Sequence, residues 1–226
     1  MAASTSGPAK VMIIRHGEKL GDPVSDDSGG KHLSLQGSAR AAALPTLFLP
    51  SWWQPPPLDP PPPPPPPPAP ILECKFAAGS GTFSATYEAK SGPPAAARFP
   101  APGFIFATQD SHHSARPVDT ITPTAVALGL TINSQYSNSK NDIEQLAKDI
   151  LSKSDYVGQV ILICWHHGTI GTLATKLHGT GAVKWVGTVF DRLWLLDYSQ
   201  GATPPIQQFG QQLLFTDEQN VPSTPW

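Results

Sequence analysis

Arginine, histidine, glycine and glutamate stand together at 15–18, directly after the apolar run 11–14. A buried strand that ends at such a cluster places charged groups at the edge of a sheet, where open α/β sheets bind ligands. A neutral histidine nitrogen can attack phosphorus. Arginine meets phosphate oxygens with paired donors. Arg15, His16 and Gly17 therefore predict phosphoryl transfer through a phosphohistidine.

Two further clusters of polar residues follow predicted strands. The run 104–108 leads into a polar stretch that ends at Arg116, and the run 160–165 ends in two histidines and a glycine. Because the carboxyl ends of neighbouring parallel strands meet at one sheet edge, we expect the three clusters to form one site. Helix N-termini after these clusters would add backbone N–H groups for an anion.

Alternating strand and helix patterns indicate how these clusters are positioned. Apolar runs predict strands and 3.6-residue periodicity predicts helices. The predicted strands are 10–14, 104–108, 130–132, 160–165 and 193–198, and the predicted helices are 36–48, 117–128, 141–152 and 169–177. This alternation predicts an α/β three-layer sandwich, with a mostly parallel central sheet and helices on both faces.

Composition narrows the class of protein. The 226 residues carry a net charge of −2 and no block of like charges, which argues against a nucleic-acid partner or a polybasic membrane surface. Two cysteines do not make a disulfide framework, and there is neither an 18-residue apolar run nor a signal-peptide pattern. We expect one cytoplasmic domain over 1–226, with no membrane partner, no metal and no cofactor.

The segment 50–103 is predicted to be an insertion, because it is rich in proline, alanine and glycine. Its unbroken proline run, 60–68, favours a surface loop of polyproline II, with docking of a polyproline-binding protein as the alternative. Residues 76–87 could form a hairpin, and the insertion could cap the site. The tail 216–226 lacks an apolar pattern and is predicted to be mobile.

Three motifs in order resemble the histidine phosphatase superfamily, the phosphoglycerate-mutase-like proteins. The first is Arg15-His16-Gly17-Glu18, followed by Leu35-Gln36-Gly37-Ser38-Ala39-Arg40. The second is Ser111, Arg116 and Thr120, and the third is an apolar strand that ends in His167-Gly168. The similarity covers about 10–48 and 104–178 and implies a phosphoglycerate-mutase-like fold.

The resemblance implies a role for each matching residue. His16 would be the nucleophile, Arg15 and Arg116 would bind the phosphoryl oxygens with Gly17, and His167 would complete the pocket. His167 is preferred to His166 because it directly precedes the glycine, and His166 would then point to the other side of the strand. The family's proton donor has no clear match, and Glu18 is a weak candidate.

The activity predicted is hydrolysis of a small phosphomonoester. A phosphomutase and a phosphohistidine-protein phosphatase are alternatives within the same chemistry. The remaining alternative is a non-catalytic phosphate-binding scaffold that uses its polyproline segment.

Overall fold

A computed structural model describes residues 7–19, 30–50 and 96–225, so the proline run, the predicted hairpin and most of the insertion lie outside the described residues. The strands are β1 (Lys10–Arg15), β2 (Phe104–Ala107), β3 (Ile132–Asn133), β4 (Val160–Trp165), β5 (Arg192–Asp197) and β6 (Ile206–Gly210). The α-helices are α1 (Leu35–Ala43), α2 (Arg116–Leu128), α3 (Lys140–Ser152) and α4 (His167–Lys176). Short 3₁₀ helices lie at Leu44–Leu47, Ser154–Tyr156 and Tyr198–Gln200.

One six-stranded sheet, in the order β3-β2-β4-β1-β5-β6, carries the fold. The first four strands in this order are parallel, and β5 and β6 extend the sheet with antiparallel pairings. The predicted mixed α/β fold with a mostly parallel sheet is therefore confirmed. As a consequence, β1, β2 and β4 end at the same edge of the sheet.

The sheet is covered by helices on both faces. Alternate residues of β1 point to opposite faces of the sheet. Val11 and Ile13 pack with α3 and α4, whereas Met12 and Ile14 pack with α2 and with the 3₁₀ helix at Leu44–Leu47. All four side chains are fully buried, which explains why the strand reads as a continuous apolar run. The two cores fix the edge where the polar clusters emerge.

The first helix is shorter than the predicted 36–48. It begins after Ser34, whose hydroxyl accepts from the backbone N–H of Gly37 at 3.1 Å. It gives way to a 3₁₀ turn at Leu44, because Pro45 has no N–H to continue the α-helical pattern.

Strand β6 has no counterpart in the sequence prediction. Gln208, at its centre, is only 2 % exposed, and its backbone N–H donates to the carbonyl of Ser223 at 2.6 Å. The tail predicted to be mobile therefore packs along β6 through polar contacts, which hydrophobic periodicity does not register. In the described ranges, no helix combines the length and the apolar character needed to cross a bilayer.

Candidate active site

His16 directly follows β1 and is 3 % exposed. Its Nδ1 lies 2.8 Å from the carbonyl oxygen of Gly17. A carbonyl oxygen only accepts hydrogen bonds, so Nδ1 carries the proton and Nε2 keeps its lone pair. The backbone of the next residue thus sets the tautomer that a nucleophilic histidine needs.

The surroundings of His16 keep the imidazole neutral. Burial lowers its pKa well below the usual 6.5, and the positive charges of Arg15 and Arg116 and the proximity of His166 lower it further. The hydrogen bond to Gly17 only partly offsets this decrease in the pKa. The His16 ring is therefore uncharged at neutral pH.

Arg15 is held by the loop that precedes β5. Its Nη1 donates to the carbonyl of Val189 at 3.1 Å and also to the carbonyl of Gly187. The guanidinium carbon lies 3.5 Å from the ring centroid of Phe190, a cation–π contact. The Phe190 ring also lies 6.3 Å from the His16 ring, so one aromatic side chain supports both groups.

The ring of His166 contacts the ring of His16. Arg15 pairs with Trp165 in the sheet, which places the next residues, His16 and His166, side by side. Their ring centroids are 5.2 Å apart in an edge-to-face arrangement. The structure therefore differs from the sequence interpretation, in which His166 points to the other side of the strand.

His167, the predicted pocket residue, begins α4 and faces the loop that holds Arg15. A β-carbon added at Gly187 would lie 3.5 Å from its Nε2. The choice of His167 as the pocket residue rested on the position of the glycine and stays a prediction. Strand length also bears on which histidine lies beside His16. Both β1 and β4 run for six residues, Lys10–Arg15 and Val160–Trp165, before the paired histidines.

Burial lowers the pKa of His166 to about 4, with further lowering by the charge of Arg116, by His167 and by the charge of Arg15. Arg116 thus acts on both rings. The N-terminal residue of α2, it donates from Nη1 to the carbonyl of Gly30 at 2.7 Å. Residues from all three strand-end clusters therefore interact electrostatically with one another.

Thr120 joins the second motif to the first. Its hydroxyl donates to the carbonyl of Arg116 at 2.7 Å and accepts from the backbone N–H of Gly17 at 2.8 Å. Ser111 lies outside this contact and is exposed, and its hydroxyl accepts from the backbone N–H of Ser114 at 3.1 Å. The spacing of Arg116 and Thr120 therefore serves to fix the loop that carries His16.

Glu18, the weak candidate for the proton donor, is tied to Arg40. Both of its carboxylate oxygens accept from this guanidinium, at 2.7–3.1 Å. Arg40 also donates to both carboxylate oxygens of Asp217, at 2.8 and 3.0 Å. The sequence predicted no role for Arg40 or Asp217. These two residues lie 177 positions apart, and a buried ion pair between such distant residues leaves no local sequence pattern.

Within the ranges described, no group of three or more histidine, cysteine, aspartate or glutamate side chains could hold a metal ion. The site combines the neutral imidazole of His16, two guanidinium groups and a second imidazole. That combination can bind a phosphoryl dianion and accept the phosphoryl group.

No protein-family model and no curated protein match this chain. Solved structures similar to it include one described as the phosphohistidine phosphatase SixA from Agrobacterium tumefaciens, at 15 % identity and a TM-score of 0.38, covering 84 % of this chain and 92 % of that one. Another is a phosphoglycerate mutase from Bacillus anthracis str. Sterne, at 10 % identity and a TM-score of 0.45, covering 91 % and 93 % of the two chains. A mycobacterial hydrolase is 11 % identical, with a TM-score of 0.39, covering 89 % and 96 %.

Proposed function

We propose that this chain is a histidine phosphatase that hydrolyses a phosphomonoester through a phosphohistidine on His16. The observation that carries the proposal is the hydrogen bond of 2.8 Å between His16 Nδ1 and the Gly17 carbonyl. It leaves Nε2 as the free nucleophile, in a site where Arg15 and Arg116 place positive charge close to the ring. A buried, neutral and pre-oriented histidine beside two guanidinium groups suits attack on a phosphate ester.

In the first step of the proposed reaction, the Nε2 lone pair of His16 attacks phosphorus and the bond to the leaving oxygen breaks. The leaving oxygen takes a proton from solvent, and the phosphoryl group stays on His16. Water then attacks phosphorus, the P–N bond breaks and a proton of the water passes to solvent, so that inorganic phosphate leaves and neutral His16 is regenerated. Arg15 and Arg116 stabilise the charge on the phosphoryl oxygens in both steps.

His166 has a proposed role as a donor to the transferring group. It is neutral in the free protein, because its pKa is about 4. A bound phosphoryl dianion beside the ring raises this pKa and favours the protonated ring, which donates a hydrogen bond to a phosphoryl oxygen. Glu18 is not given the proton-donor role, because Arg40 binds both of its oxygens.

The test is to trap the intermediate with a ³²P-labelled phosphomonoester. The wild-type protein is expected to carry acid-labile, alkali-stable phosphate, and His16→Ala to carry none and to release no phosphate. His178→Asn is the control, because His178 is an exposed histidine just beyond the other end of α4. Retention of full turnover by His16→Ala would contradict the proposal.

The substrate assay also separates a phosphatase from a mutase. A phosphatase releases inorganic phosphate from the labelled ester, whereas a mutase returns the label to another oxygen of the same compound. The screen consists of sugar phosphates, nucleotides, isoprenoid phosphates and phosphorylated peptides, and the peptides test the phosphohistidine-protein alternative.

The polyproline segment lies outside the described residues. A scaffold role is tested by deleting 50–70, which should abolish partner binding while catalysis persists.

A further inference from the structure

A buried network of four side chains lies behind the loop that carries His16. Arg40 is at its centre, and it binds Glu18, Asp217 and Gln211. The side chains of Arg40, Glu18 and Asp217 are 3 %, 7 % and 1 % exposed. Ion pairs as enclosed as these are screened little by solvent, and loss of one partner leaves a buried charge uncompensated.

The network is joined to His16 through the backbone. The carbonyl of Glu18 accepts from the backbone N–H of Ser34 at 2.9 Å, and Glu18 packs directly on Gly37 of α1. The preceding carbonyl, that of Gly17, is the one that binds His16 Nδ1. The position of the Glu18 side chain therefore fixes the peptide unit that sets the tautomer of His16.

Asp217 connects this arrangement to the C-terminal segment. Its Oδ2 also accepts from the backbone N–H groups of Leu213 and Leu214, at 2.8 and 3.2 Å. The turn after β6 thus holds the carboxylate in place independently of Arg40. Since Arg40 binds both carboxylates at once, Asp217 sets the orientation in which the guanidinium meets Glu18.

We propose that Asp217 is a positioning residue for His16, acting through Arg40, Glu18 and the Gly17 carbonyl. The inference rests on the proposed function for the view of His16 as a nucleophile. The C-terminal segment is then a structural part of the active site, although it lies 201 positions from His16 along the chain (217 − 16).

The experiment compares Asp217→Asn with Asp149→Asn in the full chain. The first substitution removes a charge from the network and keeps the shape of the side chain. Asp149 is the matched control, because it is also a buried carboxylate, 9 % exposed, but it lies on α3 and binds Tyr136 and Lys153. The readouts are the ¹⁵N shifts of the His16 ring, which report the tautomer, and kcat and KM for the phosphatase reaction.

Asp217→Asn is expected to convert a ring protonated at Nδ1 into a mixture of tautomers. It should lower kcat by roughly 10- to 100-fold with KM within about twofold, because a small displacement of a reacting group has an effect of this order. Asp149→Asn should change neither the tautomer nor kcat. If Asp217→Asn does not fold, Arg40→Lys provides the same test, because lysine keeps the charge but cannot bind two carboxylates with paired donors.

An unchanged tautomer and kcat in a folded Asp217→Asn protein would overturn the inference, and so would equal losses in Asp149→Asn. The tautomer is measured without substrate. A failure of the proposed function, in which no phosphate is released by any variant, is therefore distinguishable from a failure of the positioning role.

Discussion

At the level of single residues, burial and nearby cations together keep the two histidines of the site neutral. Burial lowers the pKa of both His16 and His166, and the charges of Arg15 and Arg116 lower both further. The same guanidinium groups attract an anion. A phosphoryl dianion bound beside them would offset their charge and raise the pKa of both rings.

The first prediction concerns the pH dependence of the proposed reaction. Because the pKa of His16 lies well below the usual 6.5, its ring stays uncharged and Nε2 keeps its lone pair as the solution becomes mildly acidic. The acidic limb of kcat/KM, which reports the free enzyme, should therefore have its midpoint below 6.5. An NMR titration of the His16 ring measures the same pKa without turnover. A midpoint at or above 6.5 in both measurements would contradict the assignment.

The second prediction separates the two adjacent histidines. His166 has its ring centroid 5.2 Å from that of His16, so His166→Ala should slow phosphorylation of His16 by about 100-fold, a typical cost of losing one donor to developing charge. His167→Ala, the matched control on the neighbouring position, should slow it at least tenfold less. Rapid-quench measurement of the phosphoenzyme compares the two. A larger loss in His167→Ala would contradict the donor role of His166 and favour the assignment made from the sequence motif.

At the level of elements, α1 approaches the loop that carries His16 so closely that position 37 requires glycine. A β-carbon added at Gly37 would be 2.8 Å from the backbone nitrogen of Glu18, and closer still to its carbonyl oxygen. Neither atom can move away freely, because the backbone there is held by Ser34 and the side chain by Arg40. The glycine of this motif is therefore a packing residue.

Gly37→Ala should accordingly destabilise the protein by roughly 1–3 kcal/mol, the usual effect of overpacking a tight contact. Gly168→Ala is the matched control, since it is also a glycine near the start of a helix but has open space where the β-carbon would lie. It should leave the free energy of unfolding unchanged or raise it by about 0.5–1 kcal/mol, because alanine restricts the unfolded chain. Urea unfolding at neutral pH compares the two variants, and equal losses would argue against the close approach.

The elements also show how far the sequence is informative. β1 and β4 could be predicted because both of their faces are buried, which gives continuous apolar runs. β6 could not, because its central buried residue is a glutamine: the amide of Gln208 binds the indole N–H of Trp194 and the carbonyl of Pro222. The sequence motif alone does not show which histidine ring lies beside that of His16, because this depends on the register between β1 and β4.

At the level of the whole molecule, the segments that follow β1 and β6 meet at the side chain of Arg40. β1, the first strand, is central in the sheet, and the segment after β6 reaches back to it through Asp217 and Arg40. The strand order therefore places the loop that carries His16 between elements that are distant in sequence. Local patterns predicted the cluster at the sheet edge, but contacts across the whole chain hold it in position.

The last prediction concerns the stability of the whole protein in acid. The pKa of His166 is about 4 in the folded protein and near 6.5 when the chain is unfolded, and that of His16 is also lowered. As the pH falls below 6.5, the unfolded chain takes up protons that the folded protein does not. The free energy of unfolding should therefore fall between pH 6.5 and about 4, by at most about 1.4 kcal/mol per pH unit for each histidine.

Urea unfolding of the wild-type protein and of His166→Asn at pH 7, 6 and 5 measures this loss. His166→Asn should show a smaller decrease, because one of the two responsible groups is gone, while His113→Asn, at an exposed position, should follow the wild type.

Below the usual pKa of aspartate, near 3.8, a second decrease in the free energy of unfolding should follow for all three proteins. Burial raises the pKa of Asp217, but the hydrogen bonds and charge of Arg40 lower it by more, so protonation of this carboxylate favours the unfolded chain. If His166→Asn lost stability between pH 7 and 5 as steeply as the wild type, His166 would not be a source of the acid sensitivity.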